Sequence, residues 1–344
     1  VSAALRASYV LPLRWAAPGP IEDLADYLRG LGAIVAEIIV VDGSPAAVFE
    51  RHSVALEGVA HHLAPHPDLI SPMGKVGGVI TGVRESTQDL IVIADDDVRY
   101  SDDALRRIVD LLGVADMVRP QNYFDPLPWH ARLDTARSLL NRVLTGDVQF
   151  PVGDFPGTLA VRRSTFIASG AYDGSAMFEN LELMRTVRAA GGIVHTALDV
   201  YVPRKPPSVD HFLSQRVRQA YDDFAIPLRI GAFLASAPLA LETIRRRRAP
   251  WLGVAAAAAI GVAEVGRRRA GGARYFPAGA SLLAPLWIAE RSVCAWLALG
   301  AKLRGGVRYG DRRLPHSATS SRRLRRRFRD STRDEERRSS VEVV

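Results

Sequence analysis

The chain has 344 residues, of which 48% are hydrophobic and 24% charged, a globular composition that excludes wholesale disorder. Its one cysteine, Cys294, excludes an internal disulfide and any cysteine-cluster zinc site, and the histidines lack metalloprotease spacing. Residues 1–224 hold 21 basic and 28 acidic side chains, net −7, whereas residues 225–344 hold 24 and 9, net +15. An acidic body with a basic tail fits an anionic surface such as a membrane or RNA; the body itself is not expected to bind nucleic acid.

The first half alternates apolar strands with helices. Val1 to Tyr9 contains no long apolar run, so a signal peptide is not expected. Ala7–Leu13 reads as a strand, Ile21–Leu31 as a helix, and Ala36–Val41 as a buried strand followed by the turn Asp42-Gly43-Ser44-Pro45. Ala46–Val59 is helical, His61–Ala64 a short strand and Lys75–Arg84 a helix. Leu90–Ala94 is an apolar strand running into Asp95-Asp96-Asp97. Asp102–Leu112 is a helix with Ser101 as its N-cap, and a strand restarts at Asp116–Arg119. This alternation predicts an α/β domain with a mostly parallel sheet flanked by helices. Ligands in such sheets sit beyond the carboxyl ends of the strands, where both acidic turns fall. Farther on, helices are expected over Trp129–Leu144, Phe178–Ala190 and Val209–Phe224, a Pro/Gly loop over Phe150–Gly157 and a strand over Thr158–Val161.

After Phe224 come three apolar stretches, Pro227–Ile244, Trp251–Val265 and Ala278–Leu303, separated by arginine runs. A bilayer crossing needs roughly 20 apolar residues. The third stretch carries Glu290-Arg291 in its middle and every connecting loop is basic, so the segments cross poorly, lie in the interface or, as a third reading, form an ordinary soluble helical subdomain. The expected setting is the cell membrane, in the cell envelope, with the catalytic part on the cytoplasmic side. Three regions follow: 1–224 as the α/β domain, 225–310 as a membrane-associated helical region, and 311–344 as a basic disordered tail.

Four groups of residues could carry chemistry. Carboxylates clustered after a buried strand, as at Asp95 and Asp97, repel one another unless a cation sits among them, and Mg²⁺ or Mn²⁺ bound to a diphosphate suits them. An acidic helix start would explain the neighbouring Asp102 and Asp103. Asp42, at a strand end before Gly43 and Ser44, can hydrogen-bond a base or ribose, or simply make a turn. Glu179, at a helix start with Glu182 one turn on, can act as general base or lie on a solvated face. Gln215, Arg216 and Arg218 can contact a diphosphate or form the basic face of an amphipathic helix.

Taken in order, strand-Asp-Gly-Ser, Gly74-Lys75 with a helix, strand-Asp-Asp-Asp, Gly-x-Tyr-Asp before Phe-Glu-Asn-x-Glu-Leu, and Gln-Arg-x-Arg resemble a family 2 glycosyltransferase of the GT-A fold, in its ceramide-glucosyltransferase-like group. The resemblance covers about residues 7–224. It implies an inverting transfer of a sugar from a nucleotide-diphospho-sugar, UDP-linked, to a hydroxyl of a lipid or lipid-linked acceptor. It implies Asp42 at the nucleotide base, Asp95 and Asp97 at the metal and sugar nucleotide, and Lys75 at the donor. Glu179 is implied as the base, with Gln215 and Arg218 at the leaving group. Asn180 stands where the pattern has a second acid and Gln219 where it has Trp, which argues against processive polymer synthesis. Gly305–Arg313 is similar to a segment that follows the membrane part in lipid-acceptor members.

Other readings fit less well. A nucleotidyltransferase needs a Gly-rich loop that Leu11–Trp15 lacks, and a strand-Asp phosphatase needs a second acid where Ser44 stands. A non-catalytic scaffold binding RNA or anionic lipid is the alternative, supported by the arginines of 322–338 but not by aromatics, since only Phe328 lies among them.

Overall fold

The computed structural model describes residues 3–145, 158–309 and 312–330. A seven-stranded sheet is built from β1 (Leu5–Leu13), β2 (Val35–Asp42), β3 (His61–Leu63), β4 (Leu90–Ile93), β5 (Met117–Phe124), β6 (Leu159–Arg162) and β7 (Val194–Arg204). Its order is β3-β2-β1-β4-β6-β5-β7. Neighbours are parallel except that β6 runs antiparallel to both β4 and β5.

The pleat explains why apolar runs were needed. Tyr9, Leu11 and Leu13 of β1 pack into one core with α1 (Glu22–Leu31) and α4 (Asp102–Leu111), while Val10 joins the other with α3 (Gly74–Glu85) and α7 (Glu179–Ala189). α2 (Ala46–Leu56) links β2 to β3, and α6 (Arg163–Ala168) follows β6. α3 lies tight against the sheet because Gly78 and Gly82 face it; a Cβ on Gly82 would meet Val10 at 2.4 Å. Ser101 caps α4 as expected, its hydroxyl accepting from the Ala104 amide. The longest strand, β7, is absent from the sequence-based expectation, and β5 runs on past Arg119 to Phe124. The expected Phe150–Gly157 loop lies outside the described residues.

α5 (Trp129–Leu144) and α8 (Val209–Asp222) carry the remaining helices on their outer side: α9 (Pro227–Arg245), α10 (Pro250–Arg268), α11 (Ala278–Ser281) and α12 (Ala284–Leu303). The membrane setting expected from the three apolar stretches is corrected here. Among the described residues no helix is long and apolar enough to cross a membrane. α9, α10 and α12 each carry acids and bases within their 19 or 20 residues, and Glu290 and Arg291 of α12 point inward. Arg216 of α8 donates to Glu290 at 2.6 and 2.9 Å and to Asp134 of α5 at 2.5 Å, and Arg291 sits within 3.7 Å of Asp223. Charge that would be costly in hydrocarbon thus pins these helices to the sheet domain. Gly266 of α10 makes the closest contact, since a Cβ there would lie 1.9 Å from the Leu139 carbonyl of α5.

The tail, too, differs from the disorder expected from 311 onward. β8 (Val307–Tyr309) pairs with β9 (Arg312–Leu314), and residues 321–330 are helical with Leu324 buried; 331–344 lie outside the described residues.

Candidate active site

The site lies beyond the carboxyl ends of β2, β4 and β7, where helix starts and strand ends converge. Lys75, in the first turn of α3, is its centre. Its ammonium lies 2.6 Å from Asp95 Oδ1 and 3.1 Å from Glu179 Oε1. Two acids expected to act together are thus held by one cation, although they come from distant parts of the chain.

The loop before α3 is fixed by the Met73 amide donating to the Gly174 carbonyl. Gly174 has no room for a side chain, because a Cβ would meet Ser71 at 2.4 Å. Glu179 opens α7, and the amides just before it are held from the C-terminal segment: Met177 and Phe178 donate to the carbonyls of His316 and Ser317. Glu182, one turn on from Glu179, is buried and accepts from the Thr319 amide at 2.6 Å. Burial pushes its carboxyl up. Its role is to hold that segment, not to face the site.

The three aspartates are not left to repel one another. Arg204, at the end of β7, donates to Asp97 Oδ2 at 2.6 Å and to Asp95 Oδ2 at 3.3 Å, and the Trp15 indole donates to Asp96 at 2.6 Å. Burial acts to raise Asp95, but Lys75 and Arg204 carry it below the ordinary carboxylate value. Burial raises Asp97 in spite of Arg204. Asp97 Oδ1 is buried with no partner among the described residues, which is the kind of orphaned oxygen a divalent cation satisfies. Among the described residues no three His, Cys, Asp or Glu side chains gather as a self-sufficient metal site, so a cation here would need phosphate oxygens to complete its shell.

Asp42 is placed differently from expectation. Its side chain is fully buried beneath the site, with Oδ2 taking His52 Nδ1 at 2.6 Å and His62 Nε2 at 3.2 Å, and Oδ1 taking the Ser44 amide at 2.9 Å. Burial opposes ionisation, yet the bonds from His62, Ser44 and His52 hold its pKa to about 2. The carboxylate therefore shapes the turn under the site, while Val41 and Gly43 line the cavity. Gln215 shares a face of α8 with His211 and Arg218 by helical spacing but lines neither cavity at the site. Arg218 lines both, with its guanidinium 5.2 Å above the Tyr309 ring. Asp222, one turn on, is a buried carboxyl whose Oδ1 has no partner among the described residues; burial, then Glu179, drives it well above the ordinary range.

Two cavities meet at Lys75, Asp95, Arg204, Arg218 and Tyr309. One, of about 590 Å³, opens over Gly43, Pro12, Arg14 and the three aspartates. The other, of about 300 Å³, runs between α5, β5 and the start of α7. Sequence reasoning missed Arg204, Trp15, Asp222 and Tyr309. Arg204 had a signal, since the β-branched and aromatic run Val200-Tyr201-Val202 before Pro203-Arg204-Lys205 reads as the end of a strand. Nothing local marks Trp15 or Asp222.

No protein-family model matches the sequence, and no curated protein sequence matches it. Solved structures are similar in architecture. A mannosyltransferase from Pyrobaculum calidifontis in complex with GDP-Man and Mn²⁺ is 16% identical, over 86% of this chain and 88% of that one, with a TM-score of 0.48. Glucosyl-3-phosphoglycerate synthase from Mycobacterium tuberculosis, also solved with Mn²⁺ and UDP-glucose, is 18–19% identical, over 61–62% of this chain and 76–77% of that one, with a TM-score of 0.42–0.43. Mannosyl-3-phosphoglycerate synthase from Rubrobacter xylanophilus is 16% identical, over 62% of this chain and 70% of that one, with a TM-score of 0.41. At these values the likeness concerns the arrangement of elements, and the chemistry is argued from the residues.

Proposed function

We propose that this chain is a GT-A, family 2-type hexosyltransferase that moves a sugar from a nucleotide-diphospho-sugar, UDP-linked, to a hydroxyl acceptor with inversion. The observation that carries the reading is Lys75, bridging Asp95 and Glu179 where two cavities meet. One cavity is suited to the donor and the other to the acceptor, and the acid between them stands where the bond must be made. A lipid or lipid-linked acceptor, as the resemblance implies, would have to present its hydroxyl inside the smaller cavity.

The donor diphosphate lies along Arg204 and Arg218, whose guanidinium groups meet charge as it develops on the leaving group. Asp97, through its unpartnered Oδ1, and Asp95 beside it would hold Mg²⁺ or Mn²⁺, which supplies charge neutralisation to the diphosphate when bound. Trp15 and Arg204 keep the aspartates aimed while the site is filled. The base stacks over the turn after β2, which Asp42 fixes from below. Glu179, steadied by Lys75, takes the acceptor hydroxyl proton as that oxygen attacks the anomeric carbon from the face opposite the diphosphate. A single displacement inverts the centre.

The test is a thermal-shift panel of UDP-, GDP- and TDP-sugars with Mn²⁺ against EDTA, followed by transfer assays. A sugar nucleotide that raises the midpoint only with Mn²⁺ is expected, because a ligand that binds the native state alone stabilises it. Asp97→Ala should abolish that shift and all donor turnover while circular dichroism stays unchanged. Salt-sensitive binding of polyanions with no response to any sugar nucleotide would instead support the scaffold reading.

A further inference from the structure

The deep end of the smaller cavity lies away from the residues it shares with the donor cavity, and it has a chemistry of its own. Its walls are α5 and β5, and Arg119, Asn141 and Arg142 there lie at least nine-tenths out of solvent. The Asn141 amide nitrogen, Nδ2, is buried with no hydrogen-bond partner among the described residues. Arg142 spends its N–H groups on the carbonyls of Gly266, Leu198 and Arg269, on Gln121 Oε1 and on the Tyr201 hydroxyl. None of these partners is an acid, so among the described residues its charge is buried without a counter-ion.

The acids of the cavity do not supply one. Asp95 and Glu179 are bound to Lys75 at the mouth, and Asp222 is held towards its neutral form by burial. A buried guanidinium without an acid and an amide donor without an acceptor both carry a free-energy cost that an incoming oxyanion would relieve.

We propose that this end of the cavity binds an anionic group of the acceptor, a phosphate or carboxylate carried close to the hydroxyl that receives the sugar. The assignment of this cavity to the acceptor rests on the glycosyltransferase reading; the anion site itself stands on the unpartnered amide of Asn141 as hydrogen-bond donor and on the nearby charge of Arg142, whose own N–H groups are already engaged. The donor's diphosphate has separate cations in Arg204 and Arg218, so the two anions do not compete. The pocket then selects acceptors by charge as well as by shape, and it positions the hydroxyl against Glu179 by holding the far end of the molecule. A phosphorylated headgroup of a lipid and a small phosphorylated metabolite share this chemistry.

The test titrates inorganic phosphate into the full chain at constant ionic strength, with and without saturating UDP or GDP and Mn²⁺, and follows the melting midpoint. A saturable rise that persists when the nucleotide is bound is expected. Asn141→Leu and Asn141→Asp should weaken phosphate about tenfold or more and leave nucleotide affinity unchanged. Neither variant should melt below the wild type, because Nδ2 makes no bond in the free protein. Glycerol 3-phosphate and lysophosphatidic acid, with glycerol as the neutral control, then distinguish a soluble source from a lipid one. Absence of a saturable phosphate response overturns the proposal, as does a response that nucleotide abolishes or that both Asn141 variants leave intact. If no nucleotide binds but phosphate does, the donor reading fails while the anion site stands.

Discussion

Lys75, Asp95, Arg204 and Asp97 form an alternating row of charges, each acid facing a base at 2.6 to 3.3 Å. Such a row is stable without ligand and ready to rearrange when a cation and a diphosphate enter, since every pair can exchange one partner for another. Glu179 joins the row through Lys75, so its carboxylate is positioned by the same cation that neutralises Asp95. Glu179→Gln should keep donor binding and lower transfer by about 10²–10⁴-fold. Equilibrium binding of the sugar nucleotide beside single-turnover transfer separates the two, and undiminished transfer assigns the base elsewhere. Asp42 makes a different prediction. Its pKa is held at about 2, below the ordinary 3.8, so its contribution to stability is complete above about pH 4 and is lost as pH falls through about 2. In urea melts, the gap between wild type and Asp42→Asn should therefore be widest at pH 5 and close towards pH 2. A gap that stays constant over that range would show that His52 and His62 do not bind the ionised form.

Among the helices, α8 does the most. One face carries Arg218 and Asp222 into the cavities, and another carries Arg216 into a buried cluster with Asp134 of α5 and Glu290 of α12. Burial opposes the charge on Arg216, but Glu290 and Asp134 together raise its pKa above the ordinary value. The pair Glu290-Arg291, which reads in the sequence as an interruption of an apolar segment, is the tie that seats α12 on the sheet domain. Arg216→Met should leave Asp134 and Glu290 without their shared cation, at a cost of about 3–5 kcal/mol. Chemical denaturation measures it. Replacing all three side chains by apolar ones of similar volume should recover most of the loss, which separates the uncompensated charge from the packing.

For the whole molecule, the regions drawn as 1–224, 225–310 and 311–344 share one site. Tyr309 of β8 lies under Arg218, the carbonyls of His316 and Ser317 hold the amides that lead into Glu179, and Thr319 binds Glu182. The hydroxyl of Tyr221 in α8 reaches Pro315 at 2.7 Å. A fragment ending at residue 224 would lose all of these. It should melt without a cooperative transition, or well below the full chain, and bind no sugar nucleotide; a fragment as stable and as competent as the whole would show that the C-terminal segment only decorates the site. The outward faces of α9, α10 and α12 remain apolar, with Leu228, Leu239, Trp251, Leu286 and Trp296 exposed, so the charges of these helices are spent inward and at their ends.

Much of the sheet domain is legible in the chain because the parallel strands β1, β2 and β4 are buried on both faces over most of their length and are largely apolar there, and because the helices between them show their period. The acidic turns at Asp42 and Asp95–Asp97 are legible for the same reason, since polar residues interrupting such runs mark strand ends. Partners are another matter. β7 breaks its apolar run with His195, Thr196 and Asp199, and Arg204 sits at its far end, so its meeting with Asp97 depends on the sheet placing β7 and the loop after β4 side by side. Whether Asp42 faces a ligand or two histidines, and whether Glu290 interrupts a crossing or completes a buried ion cluster, is a matter of direction in space. Local sequence fixes which residues end a strand or line a helix face; only the packed fold decides which charge stands opposite which, because those distances are set by elements far apart in the chain.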